Sequence, residues 1–102
     1  MPTIFEYFGI LLKFFSNEHY PIHVHAIYGD KYQMKVKFEI KNDKIVSKKY
    51  EVIKGFKEFP PSQLRDLKKL IDKYDKQIVE AWIDFSIKNK KVERKLITTK
   101  IK

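Results

Sequence analysis

Hydrophobic and charged residues alternate most regularly between Tyr32 and Ile40. The apolar members of this run are Met34, Val36, Phe38 and Ile40, and the residues between them are Lys35, Lys37 and Glu39. A period of two is typical of a strand that turns one face to a core and the other to water. The run therefore predicts a half-buried strand, which Asn42-Asp43 turns into a second strand from Ile45 to Ile53. We expect Val46 to face the core opposite Ile40, which requires a three-residue loop and a bulge, because a two-residue turn would set Phe38 against Ser47.

Three earlier runs of β-branched and aromatic residues predict further strands. Thr3 to Tyr7 and Ile10 to Phe15 are separated by Phe8-Gly9, which indicates a hairpin. Ile22 to Tyr28 ends at Gly29-Asp30, a dipeptide typical of tight turns. Together with the two strands above, these runs predict a meandering antiparallel sheet of about five strands.

The second half of the chain has a helical pattern. Pro60-Pro61-Ser62 marks a helix start, because proline suits the first turn and serine can cap it. Apolar residues then recur at steps of three and four, which predicts one buried stripe. The stripe consists of Leu64, Leu67, Ile71, Tyr74, Ile78, Trp82 and Phe85. We favour two packed helices that meet at Tyr74-Asp75, with one long helix as the alternative; Val92 to Ile101 is either an edge strand or a mobile tail.

These elements predict an α+β fold, in which an N-terminal antiparallel β-meander of about five strands packs against a C-terminal α-helical hairpin. The chain has 102 residues, which suits one hydrophobic core. We divide it into a single domain, residues 1–87, and a basic extension, residues 88–102. The sequence has no cysteine, which excludes disulfides and thiolate chemistry and favours a cytoplasmic location. We find no signal peptide or membrane-spanning segment and expect no membrane partner.

The formal net charge is +9, and most of it comes from residues 88–102, where seven Lys or Arg residues stand against one Glu. A cluster of this kind is a candidate for phosphate contacts, although a solvated end of the chain has the same composition. The candidate nucleic-acid-binding residues are Lys88, Lys90, Lys91, Arg94 and Lys95.

All three histidines fall within the seven residues from His19 to His25. Because residues two apart on a strand point to the same side, His23 and His25 project together, and His19 comes from the preceding loop. Three imidazoles form a candidate site for a divalent metal such as zinc, with Glu18 orienting a ligand or acting as a base. The same four residues are candidates for acid–base catalysis without metal. The alternative is a polar sheet face with no chemical role.

Several of these motifs together resemble a bacterial family called domain of unknown function 4160. The similar segments are Met1-Pro2-Thr3-Ile4, Phe14-Phe15-Ser16-Asn17 with His19, Pro21-Ile22-His23-Val24-His25 and Glu80-Ala81-Trp82. The likeness runs from about Met1 to Phe85, so the basic segment after Ile87 lies outside it. The family has no established activity. Gene neighbourhood suggests that its members form toxin–antitoxin-like pairs with another small protein, so the resemblance implies such a partner.

Three functions are consistent with these observations. The first is a protein-binding component of a toxin–antitoxin-like pair, for which a second copy of the chain is another potential partner. The second is a small nuclease or other hydrolase that uses the histidine cluster, with or without a metal. The third is nucleic-acid binding through the lysine-rich extension.

Overall fold

A computed structural model describes residues 3–14, 22–88 and 95–101 of the chain. The elements are β1 (Thr3–Tyr7), β2 (Ile10–Lys13), β3 (His23–Tyr28), β4 (Tyr32–Lys41), β5 (Lys44–Val52), α1 (Pro61–Ser86) and β6 (Lys95–Ile97). The six strands form one sheet in the order β5-β4-β3-β2-β1-β6. The predicted α+β fold class is confirmed.

The first five strands are neighbours in sequence order and pair antiparallel throughout, as the predicted meander requires. The sixth strand pairs parallel with β1, so that Glu6 lies opposite Leu96 and Tyr7 opposite Ile97. Of the two alternatives for the final segment, the structure shows an edge strand at Lys95–Ile97.

Two hairpins turn through backbone in the left-handed region. Phe8 and Gly9 have φ values of 42° and 86°, and Asn42 and Asp43 have values of 51° and 62°. Positive φ at both central residues is the type I′ geometry, whose twist matches that of the flanking strands. A turn was predicted at each of these dipeptides, but the three-residue loop expected at Asn42-Asp43 is wrong, because the turn has only two residues. Gly, Asn and Asp tolerate positive φ, whereas Phe8 is a bulky residue that rarely adopts it.

The register beyond the second turn differs from the expected one. The two-residue turn sets Ile40 opposite Ile45, and a bulge then brings Phe38 opposite Lys48. The bulge is present as predicted, but Val46 does not pair with Ile40 and is 52% exposed. The reason is that the tight turn takes up only two residues, so the extra residue of the bulge falls at Val46 itself.

The predicted helical hairpin is wrong, and the alternative of one long helix is correct. Helix α1 continues from Pro61 to Ser86 with a kink at Tyr74, where φ is −115° and ψ is 17°. The kink lies where a break was predicted, but one distorted residue does not reverse the chain. Pro61 occupies the first turn, and Ser62 does not cap it, because the cap position is Pro60. No helix in the described ranges is both long and apolar enough to cross a bilayer.

The helix packs on one face of the sheet and encloses a single core with it. The ring of Tyr74 lies 5.0 Å from that of Phe5, and Phe85 stacks on Phe14 at 5.9 Å. The fully buried members of the helical stripe include Leu67, Ile71 and Ile78, and Leu70, which the stripe did not contain, is buried as well. The kink residue is thus held in place by the sheet beneath it.

A charged contact joins the kink to the edge strand β5. The ammonium Nζ of Lys48 lies 2.8 Å from Oδ1 of Asp72 and 3.0 Å from Oδ2 of Asp75. Burial lowers the pKa of Lys48, but the two carboxylates more than offset this effect, so the net pKa is raised. Lys48 therefore stays charged and ties β5 to the helix.

Residues 95–101 dock against the first hairpin. Ile97 is 8% exposed, the backbone N–H of Ile101 donates to the hydroxyl oxygen of Tyr7 at 2.9 Å, and Nζ of Lys100 lies 3.0 Å from Oδ2 of Asp66. The same ammonium group lies 4.5 Å from the centre of the exposed ring of Phe8. These contacts make the segment a part of the sheet layer.

If β6 completes the core, Ile97→Ala should lower the free energy of unfolding by about 2–4 kcal/mol, because the substitution leaves a cavity under the strand. Leu96 is the matched control, since it is the adjacent residue of the same strand and is 62% exposed. Leu96→Ala should cost less than about 0.5 kcal/mol. Urea unfolding monitored by the fluorescence of Trp82 measures both, and equal effects of the two substitutions would contradict the docking.

Candidate functional site: the histidine–lysine face

Strand β3 divides its side chains between the two faces of the sheet. Val24 and Ala26 are completely buried on the face that carries α1. His23 and His25 point to the opposite face, because alternate residues of a strand do so, and are 6% and 8% exposed. Their ring centres lie 5.5 Å apart at an angle of 54°. The predicted projection of these two histidines from one side of the strand is what the structure shows.

The neighbouring strands surround both histidines with lysines. His25 lies directly opposite Lys13 of β2 and Lys35 of β4, and His23 lies opposite Lys37 of β4. Directly opposite residues share a face of the sheet, with Cβ atoms about 5 Å apart. We call this surface the histidine–lysine face; it consists of Lys13, His23, His25, Lys35, Lys37, Lys49 and Glu51.

Strand β5 contributes the acidic member of the face. Lys35 lies opposite Glu51, and Lys37 lies opposite Lys49. Nζ of Lys37 is 2.9 Å from Oε2 of Glu51, and Nζ of Lys49 is 3.9 Å from Oε1. The hydrogen bond from Lys37 holds the pKa of Glu51 below its ordinary value, with further lowering by the charges of Lys37, Lys49 and Lys35. One carboxylate thus sits among three ammonium groups and stays ionised.

The environment of His25 favours its neutral form. Burial, followed by the charges of His23 and Lys35, lowers its pKa from 6.5 to about 4. At neutral pH the ring therefore carries one N–H donor and one acceptor nitrogen, which suits proton transfer or metal ligation. The lysines on either side raise the electrostatic cost of a divalent cation here and favour an anion.

The metal and catalytic predictions extend beyond the described part of the chain. Glu18 and His19 lie outside it, so the structure brings together only His23 and His25 of the four candidate residues. Within residues 3–14, 22–88 and 95–101 there is no group of three or more metal-ligating side chains. The three-histidine zinc site stays a prediction.

The basic extension is described at only two of its five candidate residues. Nζ of Lys88 lies 3.9 Å from Oδ1 of Asp84, and Nζ of Lys95 lies 4.9 Å from the ring centre of Tyr74. Lys90, Lys91 and Arg94 fall outside the described ranges. Nucleic-acid binding by this segment also stays a prediction.

The lysines and the glutamate of the histidine–lysine face were not among the site residues predicted from the sequence. The signal was present, since Lys35 and Lys37 occupy the wet face of the most regular strand. The sequence pattern did not show how β3 and β4 align across the turn at Gly29-Asp30, where Tyr28 pairs with Tyr32. A three-residue loop from Gly29 to Lys31 would have placed both lysines opposite the histidines.

The lowered pKa of His25 predicts a stability that depends on pH. An unfolded histidine binds its proton below about pH 6.5, and the folded one does so only below about 4. Stability is therefore complete above pH 6.5 and falls as the pH drops towards 4, by about 2–3 kcal/mol. Chemical denaturation of the wild type and of His25→Gln at several pH values measures this loss.

Carboxylates that titrate in the lower part of this range are common to both proteins, so their contribution cancels in the difference between the two curves. The wild type should lose more stability than His25→Gln between pH 6.5 and 4. Parallel curves would show that folded His25 takes up its proton as easily as the unfolded residue does.

A family model described as Domain of unknown function (DUF4160) matches residues 9–83, which include β3 and its two histidines as well as most of α1. No curated protein and no solved structure was found to match. The match covers well over half of the chain, and the chain therefore belongs to the DUF4160 family.

Proposed function

We propose that this protein is the protein-binding component of a bacterial, cytoplasmic toxin–antitoxin-like pair, and that its small protein partner adds a strand to the edge of β5. The observation that carries the proposal is the position of a nine-residue strand at the end of the sheet order, with no further strand beside it among the described residues. Membership of the family adds support through the pairing suggested by gene neighbourhood. Strand addition is a common way for a sheet edge to bind an extended segment.

The outer edge of β5 offers a ladder of donors and acceptors. Strand β5 is the last in the sheet order, so one of its edges pairs with β4 and the described residues form no strand on the other. The N–H of Ile53 donates to the carbonyl of Gln33 at 3.1 Å, and Met34 lies opposite Val52. Because backbone groups alternate sides along a strand, those of Val52, Tyr50 and Lys48 point away from β4.

Apolar side chains mark both ends of this edge. Val46 is 52% exposed and Val52 is 45% exposed, although Lys44 and Lys49 are charged and exposed as well. Long edges usually carry charges that prevent unspecific pairing. A partner strand would therefore bring carboxylates to the lysines and bury the two valines, which favours one partner over general aggregation.

The substitution Val52→Pro tests the proposal directly. Proline removes the outward N–H but none of the bonds to β4, and proline is tolerated at such positions of edge strands. We expect the variant to fold and to bind the product of the neighbouring gene at least tenfold more weakly. Co-expression of both proteins, followed by size-exclusion chromatography and calorimetric titration, measures the affinity.

Val52→Ala is the matched control, because it shortens the same side chain and keeps the N–H. Its affinity should stay within about threefold of the wild type. Equal binding by all three proteins would show that β5 is not the docking edge. A wild-type homodimer that Val52→Pro dissociates, without any binding to the neighbouring gene product, would show that the edge pairs two copies of this chain instead.

A second candidate function is a hydrolase, most simply a nuclease, that acts without metal at His23 and His25. The observation that favours it is the juxtaposition of two imidazoles with Lys13, Lys35 and Lys37. Imidazole can move protons near neutral pH, and ammonium groups stabilise the charge that develops on a phosphodiester.

For this candidate we expect cleavage of an RNA oligonucleotide to persist in chelator and to fall at least a hundredfold in His23→Gln and in His25→Gln. Lys69→Gln, on the exposed side of α1, should leave the rate unchanged. A rate that chelator abolishes would instead indicate a metal-dependent site, and cleavage that survives both histidine substitutions would exclude the face.

A further inference from the structure

We propose that the histidine–lysine face binds the backbone of a single-stranded nucleic acid. The inference concerns binding alone, so it requires neither the protein partner of β5 nor hydrolysis at the histidines. It also assigns the contact to the sheet rather than to the basic extension.

The lysines of this face outnumber its carboxylates, in addition to the excess of positive charge in residues 88–102. Lys48 and Lys100 each lie within 3.0 Å of an aspartate and help to hold the fold together. Along the row Lys13-His25-Lys35-Glu51 and the row His23-Lys37-Lys49, the described strands place four lysines and one carboxylate, while Glu6 and Glu39 lie on the neighbouring rows of the same side of the sheet. A positive surface of this kind attracts phosphate groups and releases the ions condensed on them.

The arrangement of the lysines suits a chain better than a single ion. Lys13 and Lys35 lie on either side of β3, and Lys35 and Lys37 are two residues apart along β4. Strands are about 4.8 Å apart and rise about 3.3 Å per residue, so the Cα atoms spread over roughly 10 Å by 7 Å. Ammonium groups at the ends of flexible side chains can then contact successive phosphates.

The interior of the face is suited to bases rather than to carboxylates. His23 and His25 lie beneath the lysines and are only 6% and 8% exposed, so the surface that bases can contact is formed by Leu11 and Ile27. These two residues lie opposite each other, two positions along from Lys13 and His25, and are partly buried, and Glu6 lies opposite Leu11. Apolar side chains beside lysines accept unstacked bases, whereas an acidic peptide would use only the lysines. A single-stranded nucleic acid can lie across a broad sheet, whereas such a sheet does not enter the groove of a duplex.

Fluorescence anisotropy with a labelled oligouridylate, at several salt concentrations, tests the inference. Lys13→Gln combined with Lys35→Gln should weaken binding roughly tenfold and reduce the slope of log affinity against log salt by about 1.4, which corresponds to two lost phosphate contacts. The control is Lys69→Gln combined with Lys76→Gln, which removes the same charge from exposed positions of α1. The control should bind within about twofold of the wild type.

Glu51→Gln provides a change in the opposite direction. Removing the carboxylate frees Lys37 and takes away its repulsion of phosphate, so affinity should rise several-fold. A loss of fold cannot imitate this gain. Circular dichroism and melting curves verify that every variant is folded, and Val52→Pro should bind the oligonucleotide as the wild type does, which separates this surface from the edge of β5.

Four results would overturn the inference. One is an equal loss of affinity in the two double variants, which would show that only the net charge of the protein matters. Another is no binding of the oligonucleotide by the wild type even at low salt. The third is displacement by inorganic phosphate with no dependence on oligonucleotide length, which would indicate a pocket for one phosphate. The last is preferential binding of polyglutamate, which would identify an acidic protein as the ligand.

Discussion

The alternation of side chains along β3 is the constraint on which the rest of the structure depends. This strand lies inside the sheet and is buried from both sides, with Val24 and Ala26 against the helix layer and His23 and His25 on the other face. A shift of its register by one residue would move the imidazoles into the apolar core and the small apolar side chains out of it. Burying an imidazole in the core without hydrogen-bond partners would be costly, so the register is strongly specified.

The charged contacts differ between the two faces of the sheet. On the helix side, Lys48 bridges Asp72 and Asp75 across the kink, which compensates for a residue that leaves helical geometry. On the other side, lysines surround two buried histidines and share Glu51. Lys48 has two carboxylates close by, whereas the lysines beside the histidines outnumber the one carboxylate that they share.

The fold could be predicted largely from local pattern. The period of two predicted strand β4, and the dipeptides Phe8-Gly9 and Asn42-Asp43 predicted the positions of two turns. The length of the second turn was not predicted, since a three-residue loop was expected and the structure has two residues there. The bulge beyond Asn42-Asp43 was expected, but its position was not, because the length of the turn decides where the extra residue falls. The hydrophobic pattern also could not decide between one helix and two. The kink at Tyr74 is held by a contact with Phe5 and leaves the spacing of the apolar stripe unchanged.

The candidate site was predicted only in part for a related reason. Spacing along one strand was enough to bring His23 and His25 together, because they are near neighbours in the chain. The lysines are brought to them by pairing between strands, and this depends on a loop length that composition does not reveal. The spacing of residues within one strand can be read from the local sequence. The residues that lie opposite each other on neighbouring strands depend instead on how the whole sheet pairs.

The docking of residues 95–101 has a consequence for how the chain reaches its folded state. The hydrogen bond between the Ile101 amide and the Tyr7 hydroxyl joins positions 94 residues apart, and β6 pairs in parallel with β1, the first strand along the chain. The five-stranded meander and its helix can collapse from contacts between sequence neighbours, which form quickly. Closing the sixth strand has to wait until residues 95–101 have been synthesised, so the edge of β1 stays open for pairing throughout that interval.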